Sequence, residues 1–259
     1  MLMFPYILSM TRIIAVANQK GGVGKTTTVL NLGTALRREG KRVLLVDLDP
    51  QAALSVSLRV PLNQGPLTIY QVLLGEAPAS RAIRSTAEGA DLIPANIDLS
   101  AAELELAAEM GRERVLGESL QPLTDSFDFI LIDCPPSLGL LTVNALVAAD
   151  EVLIPLQCEY LAMRAMNLLL RTIDKVKAKL NPGLLIAGIL VTMYNGRTVH
   201  AQEVLEEVRS TFGPKVFSAI VKSSVRFKEA PAAGLSILDY AAVHEGAAAY
   251  RALAKELMK

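Results

Sequence analysis

A glycine- and lysine-rich run, Lys20-Gly21-Gly22-Val23-Gly24-Lys25-Thr26-Thr27, lies directly behind a short apolar segment and ahead of a helix-periodic one. The segment before it, Arg12–Asn18 (RIIAVAN), is β-branched and apolar, as a strand covered on both faces should be. The segment after it places Val29, Leu32, Gly33 and Leu36 on one face at helical spacing, and Gly40 supplies a stop. Glycines at 21, 22 and 24 let the backbone curl until successive N–H groups converge, while the helix starting near Lys25 adds its positive end. Such a unit binds phosphate. Lys25 has the reach for β- and γ-phosphates, and the Thr26 hydroxyl is placed to ligate Mg²⁺. A ligand-free glycine turn is the plainer alternative. The strand–loop–helix order, Gly-Lys-Thr and an uncapped helix start together argue against it.

This unit opens a longer alternation. Arg42–Asp47, Phe129–Asp133, Glu151–Leu156 and Leu184–Thr192 read as further buried strands, and Tyr160–Leu180 as a long amphipathic helix. Between residues 52 and 126 the elements are shorter: a helix at Thr68–Leu74, a strand near Asp91–Ala95, and helices near 98–121. Alternating strands and helices predict an α/β fold, a doubly wound and mostly parallel sheet flanked by helices. No linker or repeat divides it, so residues 11–259 are expected to form one domain. Residues 1–10 are an extension of unknown role: no Lys or Arg precedes their apolar stretch, and Met10 offers an alternative start.

Composition closes off several classes. Of 259 residues, 51% are hydrophobic and 20% charged, which excludes a disordered polymer. Lys and Arg together number 26, as do Asp and Glu, so contact with nucleic acid would need a local patch. Cys134 and Cys158 cannot make a disulfide framework, and a reducing cytoplasm fits them. His200 and His244 are too few and scattered for a metal site. The apolar run Leu184–Met193 is too short to span a bilayer.

Carboxylates follow in the order a phosphate-cleaving site needs. Asp47 and Asp49 end the second strand and share one side of it, with Leu48 opposite. Asp133 ends the strand FILID, before Cys134-Pro135-Pro136. Carboxylates at the C-terminal ends of adjacent parallel strands face the crevice where such sheets bind ligands. Asp133 would hold a water of the magnesium shell, since Mg²⁺ keeps several of its waters.

The loop departs from the common G-x-x-x-x-G-K-[ST] pattern: Gln19 stands where its first Gly belongs, and a second lysine, Lys20, appears. KGGVGKT resembles the deviant Walker A motif of the ParA/MinD group of P-loop ATPases. That resemblance implies ATP and Mg²⁺ as ligands, with Gly21, Gly22, Val23, Gly24, Lys25, Thr26 and Thr27 around the phosphates. It makes Lys20 a residue that reaches the nucleotide of a second subunit, a charge supplied in trans like an arginine finger. It further assigns Asp49 to the attacking water and Asp47 to the magnesium shell or switch loop. Asn195 in TMYNGR, and Pro231 in a loop at Glu229-Ala230-Pro231, would lie by the adenine.

The segments DLDPQ, LIDCPPSLG, PLQCEY, TMYNGR and VKSSVRFKEAPAAGLSILDY extend the resemblance to Soj/ParA-type chromosome-partitioning ATPases, from Thr11 onward. Implied with it are an ATP-dependent homodimer, binding of that dimer to double-stranded DNA without sequence preference, and a ParB-type partner that stimulates hydrolysis. A cytoplasmic protein, nucleoid-associated in its ATP state and without stable membrane attachment, is the corresponding expectation. One local feature suits DNA: Lys215, Lys222, Arg226 and Lys228 fall in a stretch with no acidic residue, and Arg197 lies in another late loop. By resemblance Arg197 and Arg226 are the leading phosphate contacts, with Lys222 and Lys228 beside them. A MinD-like membrane-cycling ATPase is the nearest alternative, but Tyr250, Leu253, Ala254 and Leu257 give the last helix a packing stripe. An iron–sulfur carrier and a P-loop ligase are the more distant ones.

Overall fold

The computed structural model describes residues 11–61, 67–159 and 162–259. The extension at 1–10, and Tyr160 at the expected start of the long helix, lie outside them. In chain order the elements are β1 (Arg12–Val16), α1 (Lys25–Arg38), β2 (Val43–Asp47), α2 (Ala53–Ser57), α3 (Ile69–Leu73), α4 (Ala79–Ala82), β3 (Arg84–Ser85), β4 (Asp91–Ile93), α5 (Leu99–Glu105), α6 (Val115–Leu120) and β5 (Phe129–Asp133). There follow α7 (Leu140–Ala148), β6 (Glu151–Gln157), α8 (Ala162–Lys179), β7 (Leu185–Tyr194), α9 (Val199–Phe212), β8 (Val216–Lys222), α10 (Arg226–Ala232), α11 (Ile237–Tyr240) and α12 (Glu245–Leu257).

The strands form one sheet in the order β3-β4-β2-β5-β1-β6-β7-β8, parallel except for the β3–β4 pair. Alternation along β1 sends Ile14 and Val16 to one face and Ile13 and Ala15 to the other, and both faces are covered. Over the first face α1 brings Val29, Leu32 and Leu36, and α12 brings Tyr250, Leu253, Ala254 and Leu257. Over the second, α7 contributes Leu141 and Ala145, and α8 contributes Met166, Leu169 and Ile173. The α12 stripe is therefore core, as expected. Gly33 lets α1 lie close to the sheet: a Cβ there would stand 2.7 Å from Leu45 Cδ2.

The doubly wound layout agrees with the expectation. Two edge strands were not anticipated. β3 is only two residues, and β8 alternates buried Phe217, Ala219 and Val221 with more exposed residues, inside the run read chiefly for its lysines.

Candidate active site

The loop between β1 and α1 is held by polar contacts that leave its inner amides without a partner among the described residues. Asn18 Nδ2 donates to the Pro155 carbonyl at 2.7 Å, and Asn18 Oδ1 accepts from the Lys20 N–H at 3.0 Å. The Thr192 hydroxyl, at the end of β7, donates to the Val23 carbonyl at 2.8 Å, and the Val23 side chain is buried. Gly22 and Gly24 have φ of +73° and +86°, the left-handed region that side chains disfavour. Gly24 caps α1 without a side-chain hydrogen bond, and no acidic residue occupies the first turn. Unsatisfied N–H groups and roughly half a positive charge are thus aimed into the loop.

Lys25 is buried, and its Nζ donates to the Lys20 carbonyl at 3.3 Å. Burial lowers its pKa; the charge of Asp133 is the chief opposing influence. Asp133 stands across from Asp47 in register on the neighbouring strand, and both are fully buried. Asp47 accepts from the Ser55 N–H at 2.9 Å and the Ser55 hydroxyl at 2.7 Å, both at one oxygen, and from the Asp49 N–H at 3.3 Å at the other. Burial still raises its pKa to about 6, against the pull of those bonds. Neither carboxylate oxygen of Asp133 has a hydrogen-bond partner among the described residues. Burial first, and then the charge of Asp47, push its pKa well above the ordinary value, with Thr26 and Lys25 pulling the other way.

Two unpartnered buried oxygens beside a lysine and a threonine hydroxyl suit a hard cation that brings its own waters. Asp133 and Thr26 fit magnesium best. Asp47 is turned instead to the start of α2, where it fixes the chain after β2.

Asp49 lies in that same turn, half-exposed. Its Oδ1 accepts from the Gln51 N–H at 2.9 Å, and its carbonyl accepts from the Ala52 N–H at 2.8 Å. Ala52 has φ of +51°, so the turn is strained at a residue with a side chain. Asp49 joins the three glycines, Lys25, Thr26, Thr27, Pro136 and Met193 around a cavity of about 220 Å³. A second cavity of about 150 Å³ shares Gly24, Thr27 and Met193 with the first and is lined further by Phe227, Lys228 and Tyr250. Sequence reasoning missed Met193, which has φ of +50° and faces both spaces. Its only signal was its position at the C-terminal end of a parallel strand.

The late part of the chain differs from expectation at Pro231. Pro231 sits inside α10, not in a loop, and lines neither of these two cavities. It lies in the last turn of the helix, behind which the Gly234 N–H donates to the Pro231 carbonyl and the Leu235 N–H to the Ala230 carbonyl. Asn195 is exposed, accepts at Oδ1 from the Arg197 N–H at 3.3 Å, and lines a third cavity that adjoins the second through Lys222 and Ser223.

The basic stretch is partly neutralised from outside itself. Lys222 pairs with Glu245 in the first turn of α12 at 2.8 Å, and Arg226 pairs with Glu229 one helical turn on, also at 2.8 Å. Arg197, Lys215 and Lys228 are exposed with no ion pair among the described residues. Lys20 is partly exposed and pairs within its own chain with Glu159, just past β6.

Comparison with known proteins decides the family. An AAA domain family model matches residues 11–186. The chain is 49% identical over 250 residues to the chromosome-partitioning ATPase Soj of Treponema pallidum, covering 96% of this chain and 98% of that one. It is 46% identical to the chromosome partitioning protein ParA of Caulobacter vibrioides, covering 95% and 94%. The chain belongs to the ParA/Soj family of chromosome-partitioning ATPases. The crystal structure of cobyrinic acid a,c-diamide synthase from Mycobacterium smegmatis, with bound ATP analog and magnesium, superposes on this chain with a TM-score of 0.85 at 44% identity, covering 96% and 94%.

Other features fit this family. Cys134 and Cys158 are free and buried, and burial pushes the Cys158 thiol up to about 11 and that of Cys134 higher still. Both serve as small apolar side chains. No helix among the described residues is long and apolar enough to cross a membrane.

Proposed function

We propose that this ParA/Soj protein is an ATP-switched DNA-segregation ATPase that binds ATP with magnesium between β1 and α1, dimerises in that state, and holds double-stranded DNA until a ParB-type partner triggers hydrolysis. The observation that carries the reading is the uncapped start of α1 beside the buried Lys25 and the unpartnered carboxylate of Asp133. Gly21 to Thr27 offer N–H groups to the phosphates, and Lys25 contributes charge-assisted hydrogen bonds. Magnesium, when bound, supplies positive charge against the phosphate oxygens; Thr26 and Asp133 would hold it and its waters. Asp49, in the cavity wall, orients the attacking water. Lys20 leaves Glu159 to serve the nucleotide of the second subunit.

Arg197 and Lys228 would meet DNA phosphates, with Lys222 and Arg226 available once they exchange Glu245 and Glu229 for a phosphate. Four such residues per subunit, held weakly, make dimerisation a switch for affinity by avidity. In this reading the protein is cytoplasmic and joins the nucleoid only with ATP.

The test titrates Asp49→Ala, which holds the ATP state, onto generic duplex DNA with ATP or ADP at several salt concentrations, alongside anionic liposomes. The reading expects DNA binding with ATP alone, weakening by a slope near −0.9 per phosphate neutralised. Binding to liposomes but not DNA would favour a MinD-like role, and ATP turnover that requires cobyrinic acid would favour a synthetase.

A further inference from the structure

Ser55 stands at the centre of α2 and is fully buried. All of its polar groups are used. Its N–H and hydroxyl both donate to one oxygen of Asp47, at 2.9 and 2.7 Å. Its hydroxyl oxygen accepts from the Ala95 N–H at 3.0 Å, and its carbonyl accepts from the Val60 N–H at 3.1 Å. A serine inside a helix ordinarily turns its hydroxyl to water or back onto its own helix. Ser57, two residues on, does the latter, donating to the Ala53 carbonyl at 2.6 Å. Ser55 instead holds a buried carboxylate.

The bonds that start at Ser55 end at Asp49. The other oxygen of Asp47 accepts from the Asp49 N–H at 3.3 Å, so one carboxylate ties together both ends of the segment 49–55. Ala95, which donates to Ser55, follows β4 on one side of β2. On the other side the Leu48 N–H donates to the Asp133 carbonyl at the end of β5, at 3.0 Å. The main chain at Asp49 is thus fixed to both strands that flank β2, while Asp49 itself lines the phosphate cavity. Ser55 lines neither that cavity nor the one beside it. Removing its hydroxyl would leave the Ala95 N–H without an acceptor and Asp47 with a single bond at that oxygen, so the carboxylate could turn and release Asp49.

We infer that Ser55 is a positioning residue for ATP hydrolysis: it holds the Asp47 carboxylate in the one orientation that fixes Asp49, the residue proposed to orient the attacking water. The inference rests on that reading of Asp49. A displacement of about 1 Å at a reacting group costs roughly 10²-fold in rate, so a hydroxyl that never touches the nucleotide can still govern turnover.

The test measures phosphate release with magnesium and ATP from the full chain and from Ser55→Ala, Asp49→Ala and the double variant. Ser55→Ala should lower kcat by roughly 10–100-fold and change KM for ATP less than about threefold. Added to Asp49→Ala it should change the residual rate less than about threefold, because a residue acting through Asp49 then has nothing to act on. Thr34→Val, which removes another buried hydroxyl, should keep kcat within about twofold and controls for general loosening. Asp47→Asn sheds a buried charge, and its amide group cannot accept from the Asp49 N–H while its oxygen serves Ser55. It should show the same fall in kcat with an unchanged half-saturating magnesium concentration. Hydrogen exchange without nucleotide should speed up at 48–56 in Ser55→Ala and not in Thr34→Val. A slow Asp49→Ala beside a Ser55→Ala of normal kcat would overturn the proposal and leave the ATPase reading standing. So would fully multiplying losses in the double variant, an equal loss in Thr34→Val, or a raised magnesium requirement in Asp47→Asn. Turnover unchanged by Asp49→Ala would overturn the reading of Asp49 and this inference with it.

Discussion

Asp133→Asn should make the nucleotide-free protein more stable while removing its response to magnesium and ATP. Asp133 is buried without a hydrogen-bond partner among the described residues and faces Asp47 across one strand spacing. Two carboxylates about 5 Å apart repel by about 3 kcal/mol at an effective dielectric constant near 20. Burial works in the same direction, so both folded-state values lie above the unfolded value of about 3.9, with Asp47 near 6. The sign follows: below about pH 4 the pair is protonated in both states and costs nothing. As pH rises the unfolded chain ionises first, and stability falls until the folded-state values are passed. For one carboxyl still protonated in the folded state this cost is bounded by about 1.4 kcal/mol per pH unit above 3.9, about 5 kcal/mol at pH 7.5 and about 1.5 at pH 5.

A neutral asparagine escapes that cost but must still bury an amide, so a gain of about 1–3 kcal/mol at pH 7.5 is expected. At roughly 2–4 °C per kcal/mol this is visible in a melting curve. Urea unfolding at pH 7.5 and pH 5, without nucleotide, is the assay, and the advantage should shrink at the lower pH. With magnesium and ATP the wild type should gain stability and the variant should gain far less. A variant less stable than wild type at pH 7.5, or an advantage that grows toward pH 5, would refute the reasoning.

Other outcomes follow from the same geometry. Asp49→Ala should retain ATP and slow hydrolysis by roughly 10²–10⁴-fold, measured by phosphate release; unchanged turnover would remove Asp49 from the chemistry. Lys20→Ala should bind ATP normally yet sediment as a monomer with ATP, because its proposed target lies on the second subunit; an ATP-dependent dimer would contradict that. Gly33→Val should lower stability by about 1–3 kcal/mol in urea through overpacking against Leu45, with no change in ATP affinity.

What could be read from the sequence was what depends on neighbours along the chain. The glycine loop needs only a strand before it and a helix after it, and both were marked by periodicity. Asp49 and Asp133 could be placed because a strand end in a parallel sheet faces the ligand crevice, whereas Asp47, at the same strand end, is turned to Ser55. Residues whose role depends on distant partners were harder. Glu245 and Glu229 neutralise Lys222 and Arg226, yet the first is on α12 and the second lies one turn away in a helix that the sequence presented as a proline loop. Met193 looked like the end of a buried strand, and only the packing of β7 against the loop turns it into a wall of the site.

The central claim is that the loop at Gly21–Thr27 with Lys25 is where this protein takes its nucleotide. Calorimetric titration of ATP with magnesium into wild type and Lys25→Ala tests it most directly. Lys25 would contribute charge-assisted hydrogen bonds of about 1.5–3 kcal/mol each, so its loss should weaken binding by at least tenfold and, with two such bonds, abolish measurable heat. Binding in the wild type and its loss in the variant is the predicted result. Equal affinity in both proteins would mean that the nucleotide sits elsewhere and would contradict the account.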